Sequence, residues 1–382
     1  MRGIRVIIAV MVAACAGAAT VGAQGTPTAQ ATKGRVPESD YPKWESLAAG
    51  DLSPDGKWVA YELRRVNNSN EMRYRAVGAS TEQSVKMATT PQFTRDSRWL
   101  VYTITPDTGT GRGAAAPGAP GPRVAPAAGG TAAATRNKVG IVDLNTGTTV
   151  AFEDIQSFAL SRSGAYVALR RYRAPSAPGA VTSRGADLVV RDLARGTQVT
   201  FGNVAEFSWS DEGTLLAMTV DVERRTGNGL QVLDAATGTL RSLDAGDYAY
   251  SGLAWRAKSA DLAAYRSRTD TAFADTSQVV LAWKDAGATA PARSVYDFSS
   301  DAKFPSGLRV ASYRPLQWTS DGGALIFGVA PREPKPPRPP AGGPTAKTPA
   351  RVQVWHWKDL RQFHQQEVNA VQDRQRTLPV TW

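Results

Sequence analysis

The chain has 382 residues, 42% of them hydrophobic, with 10 Trp and a formal charge of +11. That length and apolar content can bury a large core as one domain, and they demand no second one. The basic residues are dispersed rather than gathered into a stripe, so the charge does not point to nucleic acid as a partner.

The N-terminus carries Arg2 and Arg5, then an apolar run from Val6 to Ala14 and small residues at Val21-Gly-Ala23, the three-part pattern of a secretory signal peptide over residues 1–23. Val12-Ala-Ala-Cys15 offers a competing reading, a bacterial lipoprotein box anchored at Cys15. Cys15 is the only cysteine, so cleavage after Ala23 leaves a chain that forms no disulfide and relies on packing. Both readings imply an exported protein, periplasmic or extracellular, with no integral membrane span once the leader is removed. Residues 24–39 are polar and small, a flexible lead-in.

From Asp40 onward a phrase recurs six times: an apolar or aromatic residue, a small polar turn, then an alternating apolar run. The copies start at Leu52-Ser-Pro-Asp-Gly, Phe93-Thr-Arg-Asp-Ser, Leu160-Ser-Arg-Ser-Gly, Trp209-Ser-Asp-Glu-Gly, Trp255-Arg-Ala-Lys-Ser and Trp318-Thr-Ser-Asp-Gly. Pro presets φ and Gly accepts positive φ, so each phrase reads as strand, tight turn, strand. A second phrase, as in Val139-Gly-Ile-Val-Asp-Leu-Asn-Thr-Gly147 or Leu230-Gln-Val-Leu-Asp-Ala-Ala-Thr-Gly238, adds a third strand, and a short β-prone run adds a fourth. Asp55 and Asp96 lie 41 positions apart, the spacing of four-stranded blades. The expected fold is all-β: a β-propeller over 40–382 with six antiparallel blades, the last incomplete.

Two low-complexity segments interrupt the period. Residues 106–136 are rich in Gly, Ala and Pro and read as a flexible loop, whereas 331–350 reads as a polyproline-II arm. Both, with the shorter Arg173–Arg184 insertion, fall between the second and third strands of their blades and so should leave the disc on one face. Val352 to Asp359 reads as an aromatic-rich strand holding His356, and Leu360 to Arg376 as a short polar helix with His364 and a loose stripe of Leu360, Phe363, Val368 and Val371. The terminal Leu378-Pro-Val-Thr-Trp382 is a poor ring-closing strand, because Pro379 lacks a ladder donor.

No Gly-x-Ser-x-Gly elbow occurs; Gly78-Ala-Ser80 lacks the second Gly. The two histidines, His356 and His364, fit ordinary roles better than a triad, so no catalytic residue is assigned. With no cysteine after Cys15 and no His/Glu cluster, no metal site is expected; Asp55, Asp96, Asp211 and Asp321 occur singly in turns and read as turn formers rather than calcium ligands. Gly109-Thr-Gly-Arg-Gly113 lacks the Lys-Ser/Thr of a phosphate loop, so no cofactor is expected.

Asp40-Tyr-Pro-Lys-Trp44, the Ser-Pro-Asp-Gly turn at Ser53 and above all Val354-Trp-His-Trp-Lys-Asp359 with Gln365-Gln and Gln372-Asp373 resemble the N-terminal propeller of exported bacterial serine peptidases of the prolyl oligopeptidase family. The resemblance implies a substrate-gating domain, inactive alone, whose partner is an α/β-hydrolase domain in cis or on a separate chain that carries Ser, Asp and His; peptides would pass through it. Six blades where that family commonly has seven or eight imply a truncated or split peptidase. The alternative is a stand-alone TolB-type periplasmic propeller that binds an envelope protein.

Overall fold

The computed structural model describes residues 37–106 except 67, 136–174, 183–335 and 356–382 except 359. It contains two units, 1–41 and 42–382. The leader, Cys15, Gly109–Gly113 and most of the expected lead-in lie outside the described residues.

Residues 42–382 form six blades in chain order. Blade 1 pairs β1 (Glu45–Leu52), β2 (Trp58–Arg65), β3 (Glu71–Ala76) and β4 (Gln83–Lys86); blade 2 pairs β5 (Ala88–Phe93), β6 (Trp99–Ile104), β7 (Lys138–Asp143) and β8 (Thr149–Phe152). Blade 3 begins with β9 (Ile155–Leu160), β10 (Tyr166–Arg171) and β11 (Ala186–Asp192). Its fourth strand, β12 (Gln198–Trp209), runs on as the first strand of blade 4, which adds β13 (Leu215–Val220), β14 (Gly229–Asp234) and β15 (Thr239–Ala245). The change of blade occurs at a bulge between Val204 and Glu206, next to Asn203 at φ 57, so two blades share one strand rather than being separate four-stranded units. Blade 5 pairs β16 (Tyr250–Trp255), β17 (Leu262–Arg268), β18 (Ser277–Lys284) and β19 (Ala292–Tyr296).

Blade 6 is shorter. β20 (Leu308–Ala311) and β21 (Gln317–Trp318) pair along one edge of β22 (Leu325–Pro331), and β23 (Leu378–Thr381) pairs along the other. The terminal strand thus completes its own blade, on the edge of β22 opposite β20 and β21, rather than bridging to blade 1. Its last residue extends the ladder, with Trp382 N–H donating to Leu325 O at 2.9 Å and Leu325 N–H to Trp382 O at 2.7 Å.

Period-two alternation gives each central strand two apolar faces. In β10, Val167 and Leu169 face blade 2 while Ala168 faces blade 4. Five apolar clusters result, each joining blades adjacent in the chain, and among the described residues none joins blade 6 to blade 1. Leu52, which ends the first strand of blade 1, is 57% exposed, whereas Phe93 at the same place in blade 2 is 9% exposed.

The first hairpin turns of blades 1, 2 and 6 share one chemistry. Ser53 Oγ donates to Asp55 Oδ1 at 2.7 Å and accepts from Trp58 N–H at 2.9 Å; Thr319 does the same with Asp321 at 2.6 Å and Ala324 N–H at 3.0 Å, and Thr94 with Asp96 and Trp99. These turns lie at one end of the inner strands, here called the turn face, and the connections between second and third strands lie at the opposite end.

The segment expected to project over 331–350 is tethered at its start. Pro331 ends β22, Arg332 pairs with Asp270 at 2.7 Å and lies 3.5 Å over the Phe273 ring, and Lys335 N–H donates to Ala272 O at 3.0 Å. The rest of that segment, and most of 106–136, lies outside the described residues. His356 stands ahead of a turn at Trp357–Lys358 rather than in a strand, and its Nδ1 accepts from Lys358 N–H at 3.1 Å. The polar helix is present as α1 (Phe363–Arg374), with Leu360, Val368 and Val371 exposed.

Candidate functional site

The first-hairpin turns and the strand ends that precede them converge on the axis. Pro54 from blade 1, Phe93–Arg95 from blade 2, Leu160–Arg162 from blade 3, Ser208–Asp211 from blade 4, Leu253–Trp255 from blade 5 and Leu316 from blade 6 line an open cavity of about 850 Å³. All six blades contribute, so the cavity is an axial feature rather than a cleft between two neighbours.

Its wall is aromatic and its indole N–H groups are already committed. Trp209 Nε1 donates to Ala159 O at 3.1 Å and Trp255 Nε1 to Ser208 O at 2.9 Å, each reaching from its own blade to the inner strand of the one before. An indole pinned this way presents its carbon surface to the cavity. In blades 1 to 3 the equivalent residues are Leu52, Phe93 and Leu160, which have no such donor.

The polar groups lie at the mouth. The residue after the first turn position (Ser53, Thr94, Ser161, Ser210 and Arg256) is Pro54, Arg95, Arg162, Asp211 and Ala257 in blades 1 to 5, and all five line the cavity. Ser320 is its equivalent in blade 6. Asp211 is paired with Arg162 and accepts from Lys258 N–H at 2.9 Å, tying blade 4 to blades 3 and 5. The turn-forming role expected for all four aspartates therefore holds at Asp55, Asp96 and Asp321 but not at Asp211, because Ser210-Asp-Glu-Gly213 sets its carboxylate one residue earlier than Ser53-Pro-Asp-Gly56 does.

The turn carboxylates are electronically committed. The Ser53 hydroxyl and then the Lys57 N–H hold Asp55 down to about 2, and the Thr319 hydroxyl with the Gly323 N–H holds Asp321 below the usual carboxylate range. A carboxylate that accepts from its own turn is a poor ligand or base for anything else.

The remaining sequence candidates are scattered. Ser80 lies between β3 and β4 at the outer edge of blade 1, His356 is exposed ahead of α1, and His364 is exposed on α1. Among the described residues, no group of three or more His, Cys, Asp or Glu side chains is placed to hold a metal ion, and no helix is long and apolar enough to cross a membrane. What sequence reading missed is the ring of second turn positions; aligning the six turns on Ser53, Thr94, Ser161, Ser210, Arg256 and Thr319 would have shown it.

No family model and no curated protein matches the chain. Among solved structures it is similar to the β-propeller domain of the Trilobed protease from Pyrococcus furiosus, with 9% identity over 75% of this chain and 79% of that one at a TM-score of 0.37. An acylaminoacyl peptidase from Pyrococcus horikoshii gives 9% identity over 76% of this chain and 43% of its own, with a TM-score of 0.37. TolB from Acinetobacter baumannii gives 12% identity over 64% and 53%, with a TM-score of 0.29. The neighbours include peptidase propellers and TolB propellers, and also a eukaryotic initiation factor and a hydrazine synthase. The match spans less than half the length of the acylaminoacyl peptidase.

Proposed function

We propose that this chain is the non-catalytic propeller portion of an exported serine peptidase resembling the prolyl oligopeptidase family, and that its axial cavity screens peptides before they reach an α/β-hydrolase domain in cis or on a separate chain. The observation that carries the reading is the axial cavity itself. It is lined by every blade, walled by indoles whose N–H groups are bound elsewhere, and rimmed by a few charged turn residues. Such a passage admits an extended apolar segment and excludes a folded chain, because a cavity of this size accommodates a few side chains only.

The chemistry of bond cleavage is assigned to the partner domain. Residues 24–382 should therefore not be labelled by a serine-directed fluorophosphonate probe, and stoichiometric labelling would sink the reading. An immunoblot of the native host with an antibody against residues 40–330 tests the other half. A band far above 40.7 kDa supports a longer peptidase, and a band near the mature mass favours instead a stand-alone propeller of the TolB type that binds an envelope protein.

A further inference from the structure

The six second-turn positions differ in a way the rest of the repeat does not. Pro54, Ala257 and Ser320 carry no charge, and Arg162 and Asp211 neutralise each other. Arg95 remains: it is exposed, lines the cavity mouth, and its guanidinium makes no hydrogen bond or ion pair among the described residues. The carboxylate beside it in sequence, Asp96, is engaged by the Thr94 hydroxyl and by Arg98 N–H at 3.2 Å. Among the described residues the rim thus holds one uncompensated cation, and Phe93, Leu160 and Trp209 give the same cavity apolar surface.

We propose that Arg95 makes the rim selective, capturing a carboxylate on a peptide whose adjacent apolar or aromatic side chain enters the indole-lined cavity. The proposal rests on the reading of the axis as a peptide passage and adds the class of peptide that it favours: an acidic side chain or a free C-terminus next to an apolar residue. A guanidinium presents paired donors that match the two oxygens of a carboxylate, and it does so best where no internal acid competes. The apolar wall supplies the second contact, so neither a carboxylate alone nor an apolar side chain alone satisfies both parts of the site.

The test uses two blocked peptides, acetyl-Ala-Phe-Glu-amide and acetyl-Ala-Phe-Gln-amide, titrated calorimetrically into the full chain. The glutamate peptide should bind about tenfold more tightly. Arg95→Ala should abolish that preference, and Arg95→Lys should restore part of it; Arg95 is exposed, so both variants fold. Equal binding of the two peptides, or a preference that survives Arg95→Ala, overturns the rim assignment while leaving the axial passage intact. Failure of both peptides to bind overturns the rim assignment and removes the support for a peptide passage as well.

Discussion

Glycine at the turns shows how a single residue reports its surroundings. Gly213 has φ +73, and a Cβ there would lie 2.3 Å from Ser163 N, against the backbone of the preceding blade; Gly56, with φ +72, would meet nothing within 4 Å. Both positions carry the left-handed penalty for a side chain, but only Gly213 adds a clash with backbone that cannot move aside. Gly56→Ala should therefore cost about 1 kcal/mol and Gly213→Ala about 3 kcal/mol or more, measured by urea denaturation. Equal costs would mean that the turn of blade 4 does not pack on blade 3. The aspartates make a similar point. Three were legible as turn formers because the Ser-x-Asp spacing is local. Asp211 was not, because its partners Arg162 and Lys258 lie in the flanking blades.

At the scale of elements, β23 is the least obvious strand in the sequence. Pro379 argues against it, yet Gly328 is its opposite number, and the missing N–H falls on the outer edge of the blade. What holds the strand is tertiary: Val380 joins the apolar cluster of blades 5 and 6, and the Trp382 ring lies 5.6 Å from that of Tyr296. Deleting Leu378–Trp382 should lower the melting temperature by about 5 °C or more and increase aggregation by baring the edge of β22. An unchanged melting temperature and monomeric elution would show that the strand contributes nothing. The Pro-rich segment teaches the complementary lesson. Composition predicts an arm from Pro331 onward, but Arg332 has an acid at Asp270 and a ring at Phe273 within reach, and these keep the chain on the blade as far as Lys335.

For the whole molecule, stability at high pH follows from phenols buried within the blades. Burial pushes Tyr102 up to about 12 and, despite an opposing hydrogen bond, Tyr265 up to about 12; burial and then Asp244 push Tyr250 up further. A folded pKa above the unfolded value near 10 means that the native state retains protons which the unfolded chain gives up. The associated stability is complete below about pH 10 and is lost as pH rises through about 12. The urea midpoint should hold between about pH 7 and about pH 9 and fall steeply above about pH 10. A midpoint that stays flat to about pH 11 would show that these tyrosines are not buried in the native blades. The same molecular scale explains why blade 1 looks unfinished. Leu47 is 70% and Leu52 57% exposed, and Gly56 faces open space, all on the side where every later blade meets a predecessor.

The repeat is written in local sequence: six hairpin phrases, four β-prone runs in most repeats, and a hydroxyl with Asp to fold the first turns of blades 1, 2 and 6. These are contacts between near neighbours, set by φ preferences and by period-two burial, and they are present in any window of about ten residues. Packing between blades sets which turn position faces the axis, that Arg162 and Asp211 cancel while Arg95 does not, and that β12 serves two blades. Those outcomes depend on residues about one blade apart in the chain, brought together when adjacent faces bury their apolar side chains, and no local pattern encodes that meeting.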